Sequence, residues 1–380
     1  MKNPFETEET AAFRETVRRF VEAEITPFVD QWDEAGEIPW ALHQKVGALG
    51  LFGFGVSEDY GGMGSEDAFL RAAFNEEMAK CGAGGVLAAL GGRVISIGPI
   101  HDLANAEIKD RILADIVAGR KGSALGITEP SGGSDVANLK TTARKDGNHY
   151  VLNGSKAFIT GGMTASHFVV GARTGGPGLG GISLFLVDAE ADGFSRTALE
   201  RKMGWWASDQ ASLFFDDCRV PATNMLGEEN RGFLAIMNNF NFERIAMIAQ
   251  CIGMMKVCLD ESISWAQDRE TFGKKLIKAQ VIRHKIAEIS VRIDTCEAYL
   301  RQICWAVHNA EMPVAEISKA KFHTSKALEF CASEAMQIVG GAAYLRGHPV
   351  ERIYREVKVM AIGGGSEEIM RDLAVRQMGL

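Results

Sequence analysis

The stretch from Leu234 to Leu259 constrains this chain most. It is apolar on nearly every face, and its only charged residues are Glu243, Arg244 and Lys256. A helix apolar all round has no face to turn to water, so it belongs inside a bundle or an oligomer. Long helical segments, from about Gly232 to Leu380, surround it in sequence. The first part of the chain, from Thr7 to about Gly119, is helical as well. Phe13, Val17, Phe20 and Val21 recur there at helical spacing, with Arg14, Glu15, Arg18 and Arg19 on the other face. Pro27 and Pro39 punctuate this part. A glycine-dense loop from Gly50 to Gly64 separates helices and implies turns with positive φ or close backbone approach.

Between the helical parts, from about Ser123 to Pro221, the pattern is strand-like. His167–Ala172, Ile182–Val187 and Ser212–Phe215 are rich in β-branched and aromatic residues. Asn153-Gly154 is a two-residue hairpin signal, and Gly175–Gly181 reads as a loop between two strands. Strands with no helices interleaved predict an antiparallel β-domain rather than a βαβ dinucleotide unit, and no GxGxxG follows a strand and opens a helix. The expected architecture is therefore α+β: an N-terminal helical domain (1–121), a middle antiparallel β-domain (122–231) and a C-terminal four-helix bundle (232–380).

Composition narrows the function. With 41 Lys and Arg against 49 Asp and Glu, the net charge of −8 excludes a dominant nucleic-acid partner, which needs a basic surface. Hydrophobic residues at 46 % exclude a disordered chain. No apolar run is expected to span a membrane, and the acidic first ten residues do not read as a signal peptide. Seven cysteines form no CxxC pair. They read as free thiols filling the core in a reducing, cytoplasmic setting, with no metal site.

Five places carry residues suited to chemistry, and each has a plainer reading beside it. Glu243 is a carboxylate in an apolar helix, so it is either ion-paired with Arg244 or a distant cation, or it is a general base with a raised pKa. Thr128-Glu-Pro-Ser-Gly-Gly-Ser-Asp135 is a surface turn, or a loop whose small residues let backbone N–H groups reach a ligand. Gly363-Gly-Gly-Ser-Glu-Glu368 places Ser366 as an N-cap, with Glu367 and Glu368 in the first turn of the last helix. A glycine run at a helix start can also hold a phosphate. Arg269-Glu-Thr-Phe-Gly-Lys274 and Gln337-Ile-Val-Gly-Gly341 both read as helix ends.

In order and spacing these segments resemble the acyl-CoA dehydrogenase family over nearly the whole chain. The matching motifs are Gly53-Phe-Gly-Val-Ser-Glu-Asp-Tyr-Gly-Gly-Met-Gly64, Thr128–Asp135, Asn153-Gly-Ser-Lys-Ala-Phe-Ile-Thr-Gly-Gly162, Arg269–Lys274, Gln337–Gly341 and Gly365-Ser-Glu-Glu-Ile369. The resemblance implies a homotetrameric flavoprotein (a dimer of dimers) with FAD between the β-domain and the C-terminal helices. By position, Leu125, Ile127, Thr128, Gly133 and Ser134 would line the flavin, Thr128 near N5. Phe158 and Thr160 would flank the ring. Arg269, Phe272, Gln280, Gln337, Gly340 and Gly341 would bind the adenosine diphosphate half across a dimer interface. Ser366 and Glu368 would lie near the ribityl and phosphate portion. Ser134, Asn241, Arg244, Gly364 and Gly365 would contact the acyl-CoA.

The commoner family pattern has its catalytic Glu at the position of Gly364. A branch that includes isovaleryl- and long-chain-type enzymes carries it instead in a Glu-Arg pair on the buried helix, and Glu243-Arg244 stands there. The implied reaction is α,β-dehydrogenation of an acyl-CoA to the trans-2-enoyl-CoA. Glu243 would remove the pro-R α-proton, and the β-hydride would pass to flavin N5. The acceptor implied is electron-transferring flavoprotein. Alternatives are a same-fold oxidase or monooxygenase, or a catalytically silent subunit of a heteromer. Arg93, in the helix that lines the acyl pocket in the family, either faces a polar acyl group or is exposed or ion-paired. Trp205 and Trp206 either narrow a substrate channel or simply pack.

Overall fold

The computed structural model describes residues 5–64 and 67–380; Met1–Pro4 of the acidic terminal segment lie outside them. Helices α1 (Glu8–Glu24), α2 (Val29–Ala35), α3 (Trp40–Ala48), α4 (Ala68–Ala79), α5 (Gly84–Gly92), α6 (Ile97–Leu103), α7 (Ala106–Ile108) and α8 (Ala114–Val117) form the first region. Val17 and Val21 of α1 are buried, and Phe13 and Phe20 pack against the core, as the helical spacing predicts. Between α3 and α4 the glycine loop folds back on itself. A Cβ on Gly62 would sit 2.1 Å from the Val56 carbonyl oxygen, so only glycine fits that approach. Gly84–Leu103 matches a membrane span by length and composition only. It is broken into α5 and α6, and Val86, Leu90 and Ile100 are buried in the protein core.

The middle region holds β1 (Ser123–Gly126), β2 (Thr142–Asp146), β3 (His149–Thr160), β4 (His167–Arg173), β5 (Ile182–Asp188), β6 (Phe194–Ala198), β7 (Gln210–Pro221) and β8 (Met225–Leu226). They form one sheet in the order β6-β7-β3-β2-β4-β5-β8, with β1 beside β4. Two sequence expectations are corrected here. The sheet is mixed, because β1 runs parallel to β4, and β2 meets β4 in parallel at Thr142 and Arg173. A strand entering directly from the N-terminal helices has no hairpin partner and joins the sheet in the direction it arrives. Asn153-Gly154 is not a turn. It lies inside β3 at a register shift against β7, where Gly154 has φ +142° and a Cβ would come 2.7 Å from Thr141 Cα. It is a bulge forced by close backbone approach. The hairpin itself turns at Gly147 (φ +60°), between Asp146 and His149.

The last region contains α9 (Gly232–Asp268), a small hairpin of β9 (Glu270–Thr271) and β10 (Lys274–Lys275), α10 (Gln280–His308), α11 (Val314–Val339), α12 (Pro349–Ile362) and α13 (Glu367–Gln377). Helices α9 to α12 make the bundle. Spanning 37 residues, α9 is about 55 Å long at 1.5 Å per residue. It is covered by α11, α10 and, from the N-terminal region, α4. All seven cysteines are free and buried. Lys256 is satisfied by Glu76 of α4 and Glu297 of α10, which explains that charge in the apolar stretch. Glu356 of α12 ties the three regions together. Its carboxylate accepts the Gly84 N–H at the start of α5 (2.7 Å) and the Trp205 N–H of the β6–β7 loop (2.9 Å).

Candidate active site

The loop after β1 is held from inside. Glu129 is buried, and its carboxylate accepts the backbone N–H groups of Lys140 (2.5 Å) and Thr141 (2.8 Å) and the Lys156 ammonium (2.9 Å). Lys156 is fully buried on β3 and also donates to the Ile127 carbonyl (3.2 Å). These contacts hold the Glu129 carboxyl far down, at about 2, against the opposing pull of burial. The neighbouring Thr128 carbonyl accepts the Ala157 N–H (2.9 Å), so the loop is stitched to β3 beside Phe158. Phe158 has φ +59° and is 66 % exposed, an aromatic ring held outward by strained backbone. Gly133 lies against Thr128, where a Cβ would be 3.2 Å from the Thr128 methyl, and Ser134 is exposed. Leu125 is half-buried, while the Ile127 side chain is spent on the core under Gly171.

Strand β3 ends against helix α5. A Cβ on Gly92 would strike the Thr160 methyl at 2.5 Å. The segment after α5 in turn meets α9, because Asn239 donates to the Ile95 carbonyl (3.2 Å). Glu243 follows one turn later on α9. Contacts thus run in series from the Thr128 loop along β3 to α5, and from the α5–α6 segment to the junction with α9 one turn before Glu243.

At that junction Glu243 has no ion pair within 4.0 Å among the described residues, so the structure gives it no direct cationic partner. Its Oε2 is closed off from solvent and has no hydrogen-bond partner. Burial raises the carboxyl to about 7, opposed by Arg244 and Lys321. Both cations are spent on the turn between α12 and α13. Arg244 donates to the Gly364 carbonyl (3.0 Å) and to Asn241 Oδ1 (3.1 Å), and Lys321 of α11 donates to the Gly365 carbonyl (2.6 Å). Gly364 has φ +65°, and a Cβ there would sit 2.6 Å from Met247 Sδ, one turn beyond Glu243 on α9. Gly365 has φ +101°. The amide N–H groups of both glycines have no acceptor among the described residues. Ser366 caps α13 by accepting the Ile369 N–H, with Glu367 and Glu368 in the first turn.

The other expected cofactor residues gather elsewhere. Thr271-Phe272-Gly273-Lys274 is a tight hairpin turn with φ +51° at Phe272 and +72° at Gly273. It presents a fully exposed Phe272 beside an exposed Arg269. Gln280 (bonded to His284 at 3.3 Å), Gln337, Gly340 and Gly341 are also exposed at this end of the up-down-up helices α9, α10 and α11. Arg269, the C-cap of α9, follows Glu243 by 26 positions, about 39 Å along the helix. Within one chain the two groups are too far apart to share a dinucleotide.

Arg93 is neither exposed nor ion-paired. At 3 % exposure, it donates to Thr164 Oγ1 (3.1 Å) and lies 4.7 Å from the Trp40 ring centroid, between the N-terminal and middle regions. Trp205 packs against the core. Trp206 stacks under Arg355 (3.6 Å) and Arg346 (4.4 Å). The tryptophans pack, as in the plainer reading. Lys321, the Glu129–Lys156 pair and Glu356 do not stand out as functional residues in the sequence. The available signal for Lys321 was a lone lysine among Ile317, Ala320, Thr324 and Leu328 at core spacing.

Comparison with known proteins matches this architecture throughout. Residues 7–120, 124–218 and 230–379 match the acyl-CoA dehydrogenase N-terminal, middle and C-terminal domains. The chain belongs to the acyl-CoA dehydrogenase family, a family of flavoprotein oxidoreductases. It is 34 % identical to the long-chain specific acyl-CoA dehydrogenase of Rattus norvegicus mitochondria, over 96 % of this chain and 85 % of that one. It is 32 % identical to cyclohexane-1-carbonyl-CoA dehydrogenase of Geobacter metallireducens, over 98 % of each. The crystal structure of a probable acyl CoA dehydrogenase from Mycobacterium abscessus superposes with a TM-score of 0.95 at 41 % identity, covering 98 % of this chain and 99 % of that one.

Proposed function

We propose that this protein dehydrogenates the α,β bond of an acyl-CoA thioester, with Glu243 as the base for the α-proton and FAD as the cofactor. The observation that carries the reading is Glu243, half-buried with its Oε2 closed off from solvent and without a partner, one turn before Met247, which packs on a Gly364–Gly365 turn whose two amide N–H groups have no acceptor among the described residues. A carboxyl raised to about 7 is a competent proton acceptor near neutral pH. The free amides suit a thioester oxygen that gains negative charge as the proton leaves. Space for a side chain at Gly364 is occupied by Met247, so α9 itself supplies the carboxylate.

The residues present fit FAD. Phe158 offers an outward aromatic face, the Thr128 hydroxyl has no partner among the described residues, and the loop beside it is small and locked by Glu129. Leu125, the Ile127 backbone, Gly133, Ser134 and Thr160 would line that place, and Ser366, which caps α13, and Glu368 in its first turn would meet the ribityl and phosphate portion. When bound, FAD would supply the hydride acceptor. Arg269, an exposed guanidinium without a partner among the described residues, suits a pyrophosphate, and its distance from Glu243 calls for a second copy of the chain. The assembly we propose is a homotetramer, with electron-transferring flavoprotein as acceptor and a cytoplasmic location.

The test is the visible spectrum of the purified protein before and after anaerobic addition of a panel of acyl-CoAs. Bleaching of a flavin band by one of them supports the reading. A protein that takes up no flavin would sink it. In Glu243→Gln the flavin band should persist, and reduction should slow by at least about a thousandfold. Reduction at the wild-type rate would remove Glu243 as the base.

A further inference from the structure

Among the buried residues of α11, Lys321 is the only charged one. It is 2 % exposed and has no carboxylate within 4.0 Å among the described residues. A buried ammonium is costly unless its setting uses it. Its one hydrogen bond goes to the Gly365 carbonyl, next to the Gly364 carbonyl that Arg244 holds. In a trans peptide the C=O and N–H point in opposite directions. Turning the Gly364 and Gly365 carbonyls toward the two cations therefore turns the N–H groups of Gly365 and Ser366 away from them. Of the two free donors named above, the Gly365 N–H is aimed by Arg244 on the Gly364 carbonyl, and Lys321 fixes the next peptide and with it the backbone conformation of Gly365.

We propose that Lys321 is a positioning residue of the reaction: it pins the Gly363–Gly365 turn by the Gly365 carbonyl and, with Arg244, supplies the positive field that lets the half-buried Glu243 ionise. This rests on Glu243 being the base. The charged groups around Glu243 are few. Arg244 is its neighbour on α9, and Lys321 reaches in from α11. From α4, Arg71 is engaged with the rings of Phe54 and Phe242. Glu367 of α13 and Cys251 of α9 act on Lys321 itself. Removing Lys321 leaves the carboxylate with one cation instead of two. The Gly365 carbonyl is then left without its donor.

The test uses the flavin-loaded enzyme and the acyl-CoA that reduces it. Rates of anaerobic reduction are measured across neutral pH for wild type, Lys321→Gln, which keeps a donor without the charge, and Lys321→Met, which keeps neither. The acid limb of the profile should move up by about one pH unit in both variants. The high-pH plateau should fall about tenfold in Lys321→Met and recover in Lys321→Gln. A readout without turnover is the melting-temperature difference between each background and its Glu243→Gln derivative, followed against pH. That difference grows from the ordinary glutamate value and levels off where Glu243 ionises in the folded state, so it should level off at higher pH and reach a larger size in the Lys321 variants.

An acid limb and a melting difference unmoved in Lys321→Gln overturn the inference, even if Lys321→Met folds poorly. A lower melting temperature alone marks a merely structural lysine and overturns it as well. The base assignment fails separately, if Glu243→Gln is reduced like wild type.

Discussion

Glu243 makes a stability prediction as well as a catalytic one. Its folded pKa, about 7, lies above the ordinary value for a glutamate, so the folded state binds its proton more tightly than the unfolded state. This group's contribution is therefore full below the ordinary value and is lost as pH rises toward 7. A shift of that size corresponds to roughly 3 kcal/mol. Glu243→Gln, which carries no charge, should melt higher than wild type above neutral pH and about equally in mild acid, in scans of both proteins at both conditions. Glu129 has the opposite sign. Its pKa is depressed to about 2, so its stabilisation is present above the ordinary carboxylate range and disappears as pH falls through 2. Lys156→Met leaves that buried carboxylate without its cation and should destabilise by about 3–5 kcal/mol in denaturant titration. The sequence pointed to Glu243 because a charge in an apolar run is conspicuous. It did not point to Lys156 or Lys321, because a single lysine in a strand or an amphipathic helix looks like a solvated face until its neighbours are known.

At the scale of elements, periodicity located helices and strands well, since burial of one face imposes it. Where backbone geometry overrode composition, the reading failed. Asn153-Gly154 has the residues of a hairpin, but the neighbouring strand passes too near for a Cβ, and the pair became a bulge. Gly154→Ala should therefore destabilise the sheet by a few kcal/mol, measured by urea unfolding. A comparable approach joins the first and last regions: a Cβ on Gly253 of α9 would lie 2.4 Å from the Glu76 carbonyl oxygen of α4. Gly253→Val should cost about 3 kcal/mol or more by wedging the two helices apart, visible as an early loss of helical signal on heating.

The whole molecule is joined through α12. Glu356 holds the start of α5 and the β6–β7 loop with one carboxylate, so Glu356→Ala should let the N-terminal and middle regions loosen from the bundle. Limited proteolysis between those regions, slow in wild type and fast in the variant, checks this. The Phe272 hairpin projects a full aromatic ring from the end of the bundle opposite the Glu243 junction. With the dimeric site proposed above, Phe272→Ser should shift sedimentation toward smaller species and release flavin. Sedimentation and flavin content identical to wild type would argue against a site shared between copies.

The sequence by itself determined the three-part layout, the central buried helix and the charge that needs explaining within it, because patterning and desolvation act on residues one at a time. Six ordered motifs carried the family. Only the tertiary structure decided that β1 enters the sheet in parallel, that Arg93 stacks on Trp40, and that Arg244 and Lys321, the two cations acting on Glu243, hold the carbonyls of one glycine turn. Those outcomes depend on which backbones approach closely and which carbonyls point inward, and such distances arise between segments far apart in the chain.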